Sequence, residues 1–170
     1  LALFAAAIIG LFYMVAIGAD FFATTDPGLS DAQRSLMPPQ RLYLFDGWRF
    51  APHVYAIKGK RDLKTFKRVY EADPTTKIPV HFFARGFEYK FLGLFPSNRH
   101  FLAVGEGYQA AETIFLLGTD VQGRDLWSRL LFATRVSLSI GLIGVSLSLF
   151  LGVLLGGISG FYGGVMDTLI

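Results

Sequence analysis

The sequence has 170 residues, no Cys, and a net charge of +3 from 16 Lys and Arg against 13 Asp and Glu. The missing Cys excludes disulfides and thiolate zinc or redox sites, and the basic residues lie singly among acids, which argues for solvated surface and against a nucleic-acid partner. An apolar fraction of 52% with a mean hydropathy of +0.45 is high for a soluble domain, and its distribution decides the class.

Residues 1–19 carry no charge, residues 136–166 carry none, and every Lys and Arg falls between Asp20 and Arg135, as does every Asp and Glu except Asp167. A globule needs charge around its whole surface, so this layout reads as membrane, domain, membrane. Residues 1–19 predict a first transmembrane helix: 19 residues make about 28 Å of helix, close to the hydrocarbon thickness. A cleaved secretory signal is the alternative, with Ala16-Ile17-Gly18 as a small-x-small site. The apolar run is long for that role and no basic segment precedes it.

Residues 20–116 form an insert. Thr24-Thr25-Asp26-Pro27-Gly28 reads as a turn and Met37-Pro38-Pro39 as an extended connector. Short aromatic and β-branched runs follow at 41–45, 48–50, 54–57, 80–84, 89–94 and 100–104, so residues 40–105 predict a small β-rich domain. Residues 62–72 fit a helix or a strand, because Leu63, Phe66, Val69 and Tyr70 recur at helical spacing. His53, His81 and His100 lack ligand spacing and predict no metal site.

Residues 117–135 predict a capped amphipathic elbow at the membrane interface. Thr119 or Asp120 is placed to cap a helix start, Asp125 to favour its positive end, and Trp127 to sit at headgroup depth. Residues 136–161 predict a second transmembrane helix. Along it Ser137, Gly141, Gly144, Ser148, Gly152, Gly156 and Gly160 recur every three or four residues, a small-residue stripe that admits another helix closely. Gly is unfavourable in a helix interior by about 1 kcal/mol, so the stripe from Gly141 to Gly156 points to packing in a bundle. Residues 162–170, with Gly163 and Gly164, read as a turn and the start of a further segment.

No catalytic constellation is visible. Gly156-Gly157-Ile158-Ser159-Gly160 lacks the Lys-Ser/Thr ending of a phosphate loop, and the serines of the second span have no base nearby. The residues alone therefore predict an α-helical integral membrane protein with two transmembrane helices and a β-rich domain between them, on a side of the membrane that they leave open.

One pattern is more specific. Leu117-Gly118-Thr119-Asp120 followed by Gly123-Arg124-Asp125, then Ser128-Arg129-Leu130-Leu131, Arg135 and Ser137, and finally a glycine-studded span reaching Asp167, resembles the oligopeptide/dipeptide ABC transporter permeases in their second-subunit form. The resemblance implies a cytoplasmic N-terminus, the insert on the periplasmic or extracellular side of the inner membrane, and Asp167 near the cytoplasmic face. It also implies a homologous second permease subunit, two ABC ATPase subunits that bind ATP and Mg, an extracytoplasmic solute-binding protein, and no cofactor or enzymatic activity on this chain. The insert of about 95 residues is longer than in common members of that family, and is placed to touch the binding protein or cover the pathway entrance. A membrane-anchored binding or signalling domain is the alternative, but a simple anchor needs neither the stripe nor the patterned elbow. A membrane enzyme would need an acid, base or metal cluster that the middle domain does not show.

Overall fold

The computed structural model describes residues 1–170 except 62, 64–67, 105, 106, 108–113 and 165–170. It divides into two compact units, Leu1–Arg135 and Val136–Ile170.

The first unit begins with helix α1 (Ala2–Ile17), apolar all round, followed after Gly18 by the single turn α2 (Ala19–Phe22). At 1.5 Å per residue, α1 is about 24 Å long. Leu3, Phe4, Ile9, Leu11, Phe12 and Met14 are each more than half exposed. A helix without a polar face, whose apolar side chains find little cover, is built for lipid or for other helices. The expected first span of residues 1–19 is thus a 16-residue helix plus a turn, because the backbone steps at Gly18.

A 3₁₀ turn (Ala32–Arg34) leads into four strands: β1 (Tyr43–Asp46), β2 (Arg49–Arg61), β3 (Arg68–Phe91) and β4 (Phe95–Val104). They form one antiparallel sheet in the order β1-β2-β3-β4. The strands are fewer and longer than the sequence runs suggest. Runs 48–50 and 54–57 fall largely in β2, and runs 80–84 and 89–94 belong mostly to the 24-residue β3. Pro74 and Gly86, which fall between the sequence runs, sit at bulges instead. The β2–β3 register slips between Tyr55 and Ala56, opposite Pro74, and the β3–β4 register slips across Gly86. Pro79, opposite His53, marks where β3 leaves β2 and begins to pair with β4. Of the ambiguous stretch, residues from Arg68 on are strand; residues 62 and 64–67 lie outside the described residues.

Val54, Ile78, Val80, Leu102 and Val104 alternate along three strands to make the buried face of the sheet, with Ile114 closing it and Leu42 and Leu116 packed at the side. Each such side chain contributes roughly 1.5–3 kcal/mol by leaving water. A second, smaller core joins the helices to the sheet: Ala19, Ala23 and Leu131 are buried, with Val15, Phe22, Phe87, Trp127 and Phe132 around them.

Helix α3 (Leu126–Tyr162) has 37 residues and no interruption at residue 135. The helical part of the expected elbow is therefore the beginning of the second apolar helix, because nothing between Leu126 and Phe161 interrupts helical hydrogen bonding. Among the described residues, Leu126–Phe161 is the helix long and apolar enough to cross a membrane, with a mean hydropathy of 2.4 over its 18-residue apolar stretch. A Cβ at Gly141, Gly144, Gly152 or Gly156 would meet no atom within 4 Å, so the small-residue stripe lies open along the helix. The segment holding Asp167 lies outside the described residues.

Candidate functional site

The patterned residues before α3 build a polar clasp. Two segments distant in sequence, residues 36–40 and 115–120, run antiparallel at its edge. Leu36 N–H donates to the Asp120 carbonyl (3.0 Å), Thr119 N–H to the Met37 carbonyl (3.0 Å), and Gln40 N–H to the Phe115 carbonyl (2.9 Å). The Gln40 side chain strengthens the join, accepting from Phe115 N–H at 2.7 Å and donating to the Tyr55 carbonyl at 3.2 Å. These bonds close the base of the insert, so the β-domain leaves and returns to the helices at one place.

Gly118 and Gly123 are demanded by this closeness. Both have positive φ, +76° and +73°, and a Cβ would collide with the Met37 carbonyl oxygen at Gly118 and with Asp31 backbone at Gly123. Thr119 lies between them, only 4% exposed; its hydroxyl accepts from Met37 N–H at 2.9 Å and donates to the Arg34 carbonyl.

Neither Thr119 nor Asp120 caps α3, as the spacing had suggested. That role belongs to Asp125, because Gly123 turns the chain so that helix starts at Leu126. Asp125 Oδ2 accepts from Ser128 N–H at 2.9 Å and Oδ1 from Trp127 N–H at 3.3 Å, the geometry of an N-cap. Asp120 instead organises the turn ahead of the helix. Its Oδ1 accepts from Gln122 N–H (2.8 Å) and Arg124 N–H (3.0 Å), while Oδ2 binds Arg124 Nε (2.9 Å) and Arg129 Nη1 (2.5 Å). Burial opposes ionisation of Asp120, but the hydrogen bonds and charge of Arg124, with the Gln122 amide, outweigh it and hold the carboxyl below its usual range.

The clasp also reaches back to the end of the first apolar helix, through two threonines that the sequence showed only as part of a turn. Thr24 and Thr25 donate their hydroxyls to Asp125 Oδ2 at 3.1 and 3.4 Å, and both their backbone N–H groups donate to Ser128 Oγ at 3.1 Å. Asp125 and Ser128 are 2% and 0% exposed. Trp127 Nε1 donates to the Phe22 carbonyl at 3.0 Å, so its indole is fixed on the helix junction. Arg135 donates to the carbonyls of Ala16 (2.8 Å) and Ile17 (3.1 Å) and to Asp20 Oδ2 (2.6 Å), satisfying acceptors that the end of α1 leaves open. The only sequence signal for these partners is a pair of threonines directly after an apolar run, a hundred residues from the motif they serve.

Every acid in the clasp is occupied by structural donors, and nothing in it resembles a nucleophile paired with a base. Among the described residues no group of three or more His, Asp or Glu is placed to hold a metal ion. The histidines stay apart in role: His53 Nδ1 contacts the Ala51 carbonyl at 2.8 Å, His100 Nε2 the Phe87 carbonyl at 2.9 Å, and His81 is exposed. The clasp is a rigid joint.

Comparison with known proteins gives the joint its setting. The chain is 51% identical over 63 residues to a dipeptide transport system permease protein of Haemophilus influenzae, which is 37% of this chain and 21% of that protein. It is 57% identical over 56 residues, 33% of the chain and 18% of the relative, to a di/tripeptide transport system permease protein of Pseudomonas aeruginosa. A nickel transport system permease protein of Escherichia coli is 51% identical over 51 residues, 30% of the chain and 18% of the relative. Over part of its length, the chain resembles the permeases of peptide and nickel ABC transporters. It spans about a fifth of the length of the permeases it matches. No family model matches the chain, and no solved structure is a significant match. Another similar permease, from Escherichia coli, is named an inner membrane protein, which agrees with a long apolar helix in this chain.

Proposed function

We propose that this chain is the front part of a permease subunit of an ATP-driven ABC importer for oligopeptides or similar small solutes. The observation that carries the reading is the convergence of two independent facts. The segment from Gly118 to Arg129 builds a joint at the start of a long apolar helix, and relatives 34% to 51% identical over part of the chain are named permeases of dipeptide, oligopeptide, glutathione and nickel systems. In this reading α1 and α3 cross the inner membrane and the sheet domain lies on the periplasmic or extracellular side. The chain is a transport subunit and not an enzyme. ATP and Mg belong to two ABC ATPase subunits, and a homologous permease and an extracytoplasmic solute-binding protein complete the assembly.

Two features support the assembly. The open stripe of Gly141, Gly144, Ser148, Gly152 and Gly156 admits a neighbouring helix at short range. The joint gives the sheet domain a fixed base, as a surface that receives a binding protein requires. Uptake of labelled di- and oligopeptides by cells carrying or lacking the gene tests the proposal. Loss of uptake on deletion, restored by the full-length gene, is expected. Unchanged uptake of peptides, together with failure of the protein to co-purify with an ABC ATPase, would refute it.

A further inference from the structure

The face of the β3–β4 hairpin that packs on α2 carries a patch with no role in the joint. Phe83 and Phe101 stand with ring centroids 5.7 Å apart, and Phe21 of α2 packs on them at 5.9 and 6.1 Å. Phe83 is nevertheless 60% exposed. Its φ of +56° is a conformation that bulky L residues avoid, so the backbone is strained where it presents an uncovered ring. Two residues on, Arg85 stands directly opposite Arg99 in the ladder, both exposed. Like charges at that position repel, and among the described residues neither arginine has a carboxylate within 4 Å. The patch therefore offers aromatic rings beside a pair of cations that lack a counter-anion.

Its position says what the occupant is. Phe21 follows the last residue of α1 by four positions, about 6 Å of helical rise. A ring cluster at that level lies where an apolar helix would leave the hydrocarbon, the depth at which aromatic side chains collect, with phosphates within reach of arginine. We infer that this face rests on the headgroup layer of an anionic phospholipid bilayer, Phe83 and Phe101 against the upper acyl chains and Arg85 and Arg99 on lipid phosphates. The inference rests on the reading of α1 as a membrane helix and adds a second membrane contact, made by the sheet domain.

Nitroxide labelling of the full-length protein, with any cysteine outside these 170 residues replaced, tests it in vesicles of phosphatidylglycerol and phosphatidylethanolamine. Labels are placed at Phe83→Cys and, as a control within α1, at Leu11→Cys. Power saturation compares collisions with oxygen, which concentrates in lipid, and with a nickel chelate confined to water. The expected result is a several-fold excess of oxygen over nickel collisions at position 83, diminished when Arg85→Glu and Arg99→Glu are combined. Quenching of Phe83→Trp by lipid brominated high on the acyl chain gives a second reading that needs no Cys. Free access of nickel to position 83 while position 11 excludes it overturns the inference and leaves the membrane helix standing. Exclusion of both reagents from position 83 overturns it in favour of a protein partner. Free access of nickel to position 11 overturns both.

Discussion

Replacing Asp125 with Ala should loosen the joint more than truncating any other side chain there. The carboxylate caps α3 and also accepts from two buried threonine hydroxyls on the segment after α2. Loss of the cap costs about 1 kcal/mol. Thr25 Oγ1 also lies 3.4 Å from Ser128 Oγ and can turn to it, so one hydroxyl, that of Thr24, is left without an acceptor. A buried polar group left so costs about 1–3 kcal/mol. The sum is roughly 2–4 kcal/mol, which lowers the thermal midpoint by about 5–15 °C for a chain of this size. Size-exclusion profiles of the heated, fluorescently tagged full-length protein in detergent would read it. Asp125→Asn keeps a capping oxygen and should fall between Ala and wild type. A midpoint for Asp125→Ala within about 1 °C of wild type would refute the view that one carboxylate joins helix start to helix end.

Four further outcomes follow from the geometry. Gly123→Ala and Gly118→Ala meet backbone head-on and should abolish folded protein, whereas Gly47→Ala and Gly93→Ala, also at positive φ but in open space, should cost only about 1–2 kcal/mol; equal yields of all four would contradict this. Arg135→Ala strands Asp20, 7% exposed, and the carbonyls at the end of α1, a loss of about 1–3 kcal/mol given the partly exposed guanidinium. A double-mutant cycle with Asp20→Asn should show coupling, and simple additivity would deny the contact. Asp120 is held below its ordinary value of 3.8, so the stability it contributes is complete above that pH and is lost as pH falls through its lower folded value. Acid unfolding of Asp120→Asn should accordingly be flatter below about pH 4 than that of wild type, and superimposable curves would argue against it. Gly152→Leu fills an open stripe position and should reduce recovery of the assembled complex while leaving the subunit expressed, and normal recovery would reject the stripe as a packing surface.

Charge segregation alone marked out the two apolar ends and the β-rich domain between them, because a helix with no polar face and a half-buried sheet demand opposite compositions of contiguous stretches of chain. The stripe on α3 was equally visible, since helical spacing is a local property. The motif from Gly118 to Arg129 showed that a turn precedes a helix, but not which acid caps it. By spacing Thr119 or Asp120 reads as the cap and Asp125 only as an acid near the positive end of the helix, but the backbone path through Gly123, pressed against Asp31, makes Asp125 the cap. Strand lengths were hidden for a related reason. Pro74, Pro79 and Gly86 fall between the short runs that the sequence shows, and a sheet can absorb such residues as bulges or at a change of partner strand. The partnership of Thr24 and Thr25 with Asp125 and Ser128 spans a hundred residues and leaves no local trace. Only the tertiary fold brings those groups to hydrogen-bonding distance, and only there does the joint exist.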